Sequence, residues 1–406
     1  MIFRETYLEK IRPFYNIDVI KVLTGIRRSG KSVMLEMIQE ELKKTLGLDE
    51  RQIIAYNFEN RALSPLQDPD VFYKKVVEKT QEVGKKVYLF FDEIQLVRQW
   101  ESCINSFRVA LDCDIYLTGS NSSLLSGELA TLLSGRYVSF VIYPFSFAEY
   151  LQVRKTKDKE LSERDAFQDY LTVGGMPFLE KIDFAKDASL YFLQDMVETV
   201  LKKDIIARYN IRDVALLDSL YQYVFNNIGT TFSALSIAKY LKSTGRDVSV
   251  DTILNYLSFA ENAFLFYKIQ RSDVAGKRIF ASSPKYYVAD HGIRVAFAYG
   301  VSQDISLILE NIVCMEMLRR GYKVTVGKLG EKAIDFICMR SDKKLYIQVC
   351  YLLASKETID REFSPLESIH DNWPKYVLSL DDFDMGRNGI IHKNLRSFLL
   401  DKDIFA

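Results

Sequence analysis

The sequence predicts an α/β protein. A parallel sheet wrapped by helices and carrying a phosphate-binding loop comes first, then a helical region, then a smaller α/β domain. Three observations carry this prediction. Residues 25–32 read Gly-Ile-Arg-Arg-Ser-Gly-Lys-Ser, which fits G-x-x-x-x-G-K-[ST]. Five short β-rich runs, most of them separated by helical patterns, occupy the first 142 residues. Their apolarity is continuous rather than alternating, the mark of strands buried on both faces of a parallel sheet.

Bulk properties set the bounds. The chain has 406 residues, and domain-size statistics suggest about two to four domains. With 48% hydrophobic and 13% aromatic residues it can bury substantial cores. Lys+Arg and Asp+Glu both number 54, so the net charge is zero. Any surface for nucleic acid or an anionic membrane must therefore be local. No leader-like pattern opens the chain, and no apolar run is long enough to cross a bilayer. The five cysteines (Cys103, Cys113, Cys314, Cys338 and Cys350) are odd in number and lack paired metal spacing. They read as reduced thiols, and a cytoplasmic location with no membrane partner is expected. The three histidines are too scattered for a zinc site.

The elements follow in order. The strands of the first domain, residues 1–150, are Val19–Thr24, Ile53–Phe58, Val87–Phe91, Ile115–Thr118 and Tyr137–Ile142. A charged stretch over 154–165 reads as a solvated helix or hinge. It opens a helical lid or linker region, 151–211, broken by a turn at Gly174-Gly175-Met176-Pro177. From 212 to 300 the order becomes three helices and two strands: Leu216–Asn226, a helix capped by Ser233, Val250–Phe259, then Phe264–Gln270 and Arg278–Ala281 around Gly276. That succession is a helix-turn-helix with a β-hairpin wing. Residues 301–406 begin with a helix, Ile305–Arg319, stopped at Gly321. The runs Lys323–Val326, Ile334–Met339, Leu345–Cys350 and Tyr376–Ser379 make this last part a further α/β domain.

The chemistry concentrates in the first domain. An apolar strand precedes the glycine-rich loop and a helical pattern (Val33, Met34, Met37, Ile38, Leu42) follows it, the context such a loop needs. Gly25, Ile26, Arg27, Arg28, Ser29, Gly30, Lys31, Ser32 and Val33 are the expected nucleotide-binding residues. Backbone N–H groups of the loop and the positive end of the helix face the phosphates. Lys31 brings a point charge to the β- and γ-phosphates, and the Ser32 hydroxyl is a magnesium ligand. Arg27 and Arg28 are candidates for phosphate contact or for structural ion pairs. The strand Val87–Phe91 runs into Asp92-Glu93. Asp92 suits the magnesium shell, and Glu93 suits the base that takes a proton from the attacking water.

Ile115–Thr118 ends in Gly119-Ser120-Asn121. If this strand lies between the first and the third, Asn121 or Ser120 stands beside the γ-phosphate and orients the water; a simple loop start is the alternative. Glutamate beside the magnesium aspartate, with a polar residue ending the next strand, is the additional-strand P-loop ATPase plan. Arg136 opens the fifth strand and is a candidate arginine finger toward a neighbouring subunit, which implies a homo-oligomer; a structural salt bridge is the alternative.

These residues resemble the widespread bacterial and archaeal AAA-like ATPases that pair a P-loop domain with a C-terminal region of undefined function. Carrying the resemblance are Gly25–Ser32, Phe90-Phe-Asp-Glu-Ile-Gln95 with Trp100, Leu117-Thr-Gly-Ser-Asn-Ser122, Ser134-Gly-Arg136, Pro144-Phe-Ser-Phe147, Val173-Gly-Gly-Met-Pro177, Lys285-Tyr-Tyr-Val-Ala-Asp-His-Gly292 and Leu309-Glu-Asn311. The resemblance implies an additional-strand ATPase, a winged helix, and a tail like the PD-(D/E)XK nuclease fold. Glu310 and Asp335 stand where the early acids of that fold occur. Gln348 replaces the next acid and Cys350 replaces the lysine. A neutral amide ligates magnesium poorly and a thiol supplies no fixed cation. The tail therefore reads as a nuclease-like scaffold without cleavage. Lys356 is the lysine that an inward migration would supply.

Within Ser233–Ala289 eight basic residues face four acidic ones, a local excess of four positive charges. Lys277-Arg278 fall where a wing touches phosphate. The third helix is a poor base reader: Asp251, Thr252 and Asn255 are its few polar positions, and Asp251 repels phosphate. DNA and a protein partner are both compatible with this region. The sequence leans to an ATPase, with ATP and Mg2+, whose cycle changes how the C-terminal domains engage DNA or protein. A slowly hydrolysing ATP-dependent switch or assembly module is the alternative, and an ATP-coupled nuclease a weaker one.

Overall fold

The computed structural model describes residues 2–122, 135–231, 233–274, 279–297 and 304–402. The chain divides into two compact units, Met1–Tyr143 with Asn262–Phe264, and Pro144–Glu261 with Leu265–Ala406.

The first unit opens with helix α1 (Glu5–Ile11), held in place by buried Tyr7, Leu8 and Ile11. Strand β1 (Ile20–Thr24) leads through the glycine-rich loop into α2 (Lys31–Leu46). Gly47, in left-handed backbone, ends that helix. Next come β2 (Ile53–Asn57), α3 (Pro69–Val83), β3 (Val87–Asp92), α4 (Trp100–Ala110), β4 (Cys113–Gly119) and β5 (Tyr137–Val141). They form a five-stranded parallel sheet ordered β2-β3-β4-β1-β5.

The three inner strands are the continuously apolar ones: every residue of β1 and β3 is buried, and all of β4 but Cys113. The edge strands β2 and β5 carry exposed residues, because an edge strand lacks a neighbour on one side. Phe72 of α3 and Phe107 of α4 pack against Phe91 of β3 in the core on one face of the sheet. A buried ion pair sits inside this sheet, Lys21 of β1 with Asp114 of β4. Lys21 also donates to Ile17 O at 3.0 Å. Tyr116 Oη and the Asn16 N–H complete the shell of Asp114, so the buried pair is satisfied rather than available.

The second unit begins with α5 (Phe147–Lys157), α6 (Glu163–Val173), α7 (Lys186–Thr199), α8 (Val214–Asn226), α9 (Ala234–Ser243) and α10 (Val250–Asn262). Ser233 caps α9 as the sequence suggests, accepting the Ser236 N–H. Strands β6 (Phe266–Asp273) and β7 (Ile279–Val288) form an antiparallel pair. There follow α11 (His291–Phe297), α12 (Ile305–Arg319), β8 (Lys323–Leu329), β9 (Lys332–Arg340), β10 (Lys343–Val349), α13 (Lys356–Glu367), β11 (Lys375–Ser379), β12 (Ile391–Asn394) and α14 (Leu395–Leu400).

Here the expected boundary between 300 and 301 needs correction. β6 pairs in parallel with β8, Arg271 to Val326 through Asp273 to Lys328. One seven-stranded sheet, β12-β11-β10-β9-β8-β6-β7, therefore crosses the expected boundary. The strands read as a wing, β6 and β7, are its last two, and β7 is its edge. Nothing local in the sequence announces this pairing, because contacts between distant strands leave no local pattern.

The turn at residues 174–177 has a specific cause. A β-carbon on Gly174, whose φ is +79°, would lie 1.9 Å from Asp290 Oδ1. Asp290 accepts the N–H of Gly175 at 2.7 Å and of Gly292 at 2.9 Å. Two motif strings more than a hundred residues apart thus meet on one buried carboxylate.

Candidate functional site

The parallel register aligns the C-terminal ends of four strands: Thr24 lies opposite Gly119, Phe91 opposite Leu117, and Asn57 opposite Asp92. β4 lies between β1 and β3. The glycine-rich loop, the Asp92-Glu93 pair and Ser120-Asn121 therefore emerge from one edge of one sheet, where open α/β sheets bind ligands.

The loop is tightly held. Gly25 has a φ of +140°, and a β-carbon there would meet Ile142 O at 2.3 Å. Gly30, at φ +96°, precedes the first residue of α2. Lys31 is buried, donates to Gly25 O at 3.0 Å and Ile26 O at 3.1 Å, and stands 4.0 Å from Glu93. Ser32 and Val33 are exposed at the start of the helix. Arg28 is exposed, while Arg27 pairs with Glu59 at 2.8 Å, the structural ion pair that was the alternative reading for it.

Asp92 and Glu93 are both buried. Asp92 accepts from the Thr118 hydroxyl and from Asn57 Nδ2, the latter at 2.8 Å. Glu93 sits in left-handed backbone (φ +54°), gives its N–H to Thr118 Oγ1 at 2.9 Å, and accepts from Gln95. Thr118 and Asn57 escaped the sequence reading. Each is an ordinary strand residue in sequence, and only the register shows that they flank Asp92. Ser120 and Asn121 are buried at the end of β4.

Arg136 does not join this group. It is exposed and immediately precedes Tyr137, which pairs with Ile20 at the opposite end of β1. At roughly 3.3 Å per residue it lies about 15 Å along the strands from the loop. Within one chain it is not a site residue.

A magnesium nucleotide fits what is present. Thr24 Oγ1 and Ser29 Oγ are buried at the loop and make no hydrogen bond among the described residues, and buried polar atoms of this kind normally have a partner. Ser32 offers a hydroxyl and Asp92 a carboxylate, the oxygen donors magnesium prefers. Among the described residues no group of three or more His, Cys, Asp or Glu side chains forms a metal cluster.

A second polar cluster lies in the C-terminal sheet. Lys285 of β7 reaches Glu310 at 2.9 Å and Asp335 at 3.7 Å. Tyr287 Oη donates to Glu310 at 3.1 Å. Burial, then the Asp335 charge, push the Glu310 carboxyl up to about 7 against the pull of Lys285. Burial works against the charge on Lys285, but Asp335 and Glu310 outweigh it and raise its pKa. Gln348 accepts the Asp335 N–H at 3.1 Å. Cys350 is buried, and burial pushes its thiol up to about 12. Lys356 is exposed at the start of α13, so the cation beside these acids is Lys285 and not Lys356. Lys285 also leaves the basic count of the expected DNA face, and Lys277 and Arg278 lie outside the described residues.

Known proteins resemble this chain in sequence and in fold. Residues 18–151 match a family described as an AAA domain, and residues 164–304 match a domain of unknown function (DUF8612). An uncharacterised protein of Haemophilus influenzae is 37% identical over 93% of this chain and 93% of its own length. The chain belongs to the same family as that protein. An uncharacterised protein of Methanocaldococcus jannaschii is 28% identical over 86% of this chain and 78% of its own length. In fold, a Walker-type ATPase of Pyrococcus abyssi superposes with a TM-score of 0.51 at 16% identity, over 73% of this chain and 96% of its own. The family member described here thus has an AAA domain with a P-loop NTPase fold, followed by a mixed α/β region. No helix among the described residues is long and apolar enough to cross a membrane.

Proposed function

We propose that the chain is a magnesium-dependent ATPase whose cycle changes how its C-terminal region engages a macromolecular partner. One observation carries this reading: the loop bearing Lys31 and Ser32 opens at the same sheet edge as Asp92 and Glu93, with β4 between their strands. Ser32 and Asp92 are the residues that would hold magnesium, which would neutralise the charge on the phosphates. The loop N–H groups and Lys31 bind and orient the triphosphate. Glu93, fixed by Thr118, takes the proton of the attacking water. Asn121 or Ser120 orients that water.

For the partner, the side chains favour protein over DNA. Lys285 is turned inward, and Lys242 and Arg246 lie 3.6 and 4.0 Å from Asp247 and Asp213. Leu235, Tyr240 and Leu254 of α9 and α10 are instead 44–54% exposed. Exposed apolar groups of this size suit a protein contact.

The test is steady-state ATP turnover of the parent and of Glu93→Gln. Turnover lost in the variant supports hydrolysis at this site. Turnover absent from a parent that binds Mg·ATP favours the slow switch instead, and turnover unchanged by the substitution removes Glu93 from its role. A second reading, an ATP-coupled nuclease, is favoured by Lys285, which supplies beside Glu310 and Asp335 the cation missing at Cys350. Magnesium- or manganese-dependent cutting lost in Asp335→Ala supports it; no cutting by the parent with either metal rejects it.

A further inference from the structure

The glycine-rich loop is braced by a residue from outside every motif. Arg4, immediately before α1, is 3% exposed. Its Nη1 donates to Ser29 O at 3.1 Å and its Nη2 to Tyr143 O at 2.8 Å. Its guanidinium lies over the Tyr7 ring at 4.5 Å, and Tyr7 Oη accepts the Tyr143 N–H at 3.1 Å. The start of the loop is fixed to the same segment: Ile142 donates to Thr24 O at 2.7 Å, and Ile142 O blocks any side chain at Gly25. Both ends of the loop are thereby referred to residues 142–143, one by backbone contact and the other through Arg4.

The direction of the Arg4 bond has a chemical consequence. A trans peptide is planar, so its C=O and N–H point in opposite directions. Holding Ser29 C=O on the guanidinium turns the N–H of Gly30 to the opposite side of the loop. That amide stands directly before Lys31, among the donors that cradle phosphate in such loops. We infer that Arg4 is a positioning residue for nucleotide binding, fixing the Ser29–Gly30 peptide so that the Gly30 N–H faces the phosphates. This rests on the reading of the loop as a triphosphate site.

The test compares Mg·ATP affinity by calorimetry in the full chain for the parent, Arg4→Ala, Arg4→Lys and Lys31→Ala, with thermal melts to establish folding. Folded Arg4→Ala is expected to bind about tenfold or more weakly, the scale of losing hydrogen bonds from a charged donor. Methylguanidinium at sub-denaturing concentration restores binding to Arg4→Ala and leaves Lys31→Ala unchanged, a rescue that general loosening of the fold does not give. Parental affinity in folded Arg4→Ala overturns the inference. If Arg4→Ala does not fold, Arg4→Lys decides: it keeps the charge but not the two-pronged donor, so the Gly30 amide resonance moves and affinity drops by about threefold or more. An unmoved resonance with parental affinity overturns the inference. A parent that binds no Mg·ATP, indistinguishable from Lys31→Ala, instead strikes the nucleotide reading itself.

Discussion

The Thr118 hydroxyl accepts the backbone N–H of Glu93 at 2.9 Å, tying the strand that follows β3 in sequence to the residue just past β3 itself. The same hydroxyl gives its hydrogen to Asp92. One side chain of β4 thus fixes both acids. Left-handed backbone is costly for a residue with a side chain, and the bond to Thr118 helps keep Glu93 in it. Thr118→Val retains the shape and removes both bonds. It is expected to lower stability by about 1–3 kcal/mol and to slow ATP turnover on the order of 10- to 100-fold through misplaced acids. Urea denaturation and steady-state kinetics check this, with Thr118→Ser recovering most of both.

Glu93→Gln separates binding from chemistry. The amide keeps the size of the side chain and abolishes its basicity. Mg·ATP affinity is expected to stay near the parent value while kcat falls by roughly 10²- to 10⁴-fold, the usual worth of a positioned base. Single-turnover assays on the saturated protein measure the loss directly.

Arg136 contributes between subunits or not at all, because the β1–β5 register sets it at the far end of the strands. Arg136→Ala and Glu93→Gln are each expected to be slow alone. Mixed, they form some sites with an intact Glu93 and a neighbour's intact Arg136, and part of the turnover returns. Absence of recovery at concentrations where the chains associate argues against a shared site.

His291 makes the second unit sensitive to acid. It is buried and bonded through Nε2 to Tyr170 O at 2.6 Å, in a cavity also lined by Asp290, Glu316 and Arg319. Burial, against the attraction of Asp290, holds its pKa below 6.5. The folded state therefore binds this proton less readily than the unfolded chain does. The stability it contributes is full above about 6.5 and is lost as pH falls below that value, by at most ~1.4 kcal/mol per pH unit. In His291→Gln, which retains an N–H donor, the urea midpoint is expected to fall less between pH 7 and 5 than in the parent.

Much of the first unit was legible because its signals are local. Gly25–Ser32 combines a spacing with flanking apolar periodicity, and Val87–Phe91 leads directly into two acids. The role expected of the polar residues after Thr118 is conditional on β4 lying between β1 and β3, and the sheet order places it there. What escaped notice depends on register or on distant contacts. Thr118 and Asn57 read as plain strand residues, and Arg4 lies in a segment without a motif. Lys285 was counted as surface charge because nothing in its neighbourhood announces Glu310 or Asp335. The pairing of β6 with β8 joined two regions that local composition divides, and β12 (Ile391–Asn394) is too short and polar to register as a strand.

Calorimetric titration of Mg·ATP into the folded chain tests the central claim most directly. The account predicts saturable heat with one site per chain, abolished by Lys31→Ala in protein that melts as the parent does. No heat from the folded parent, or the same isotherm from Lys31→Ala, contradicts it.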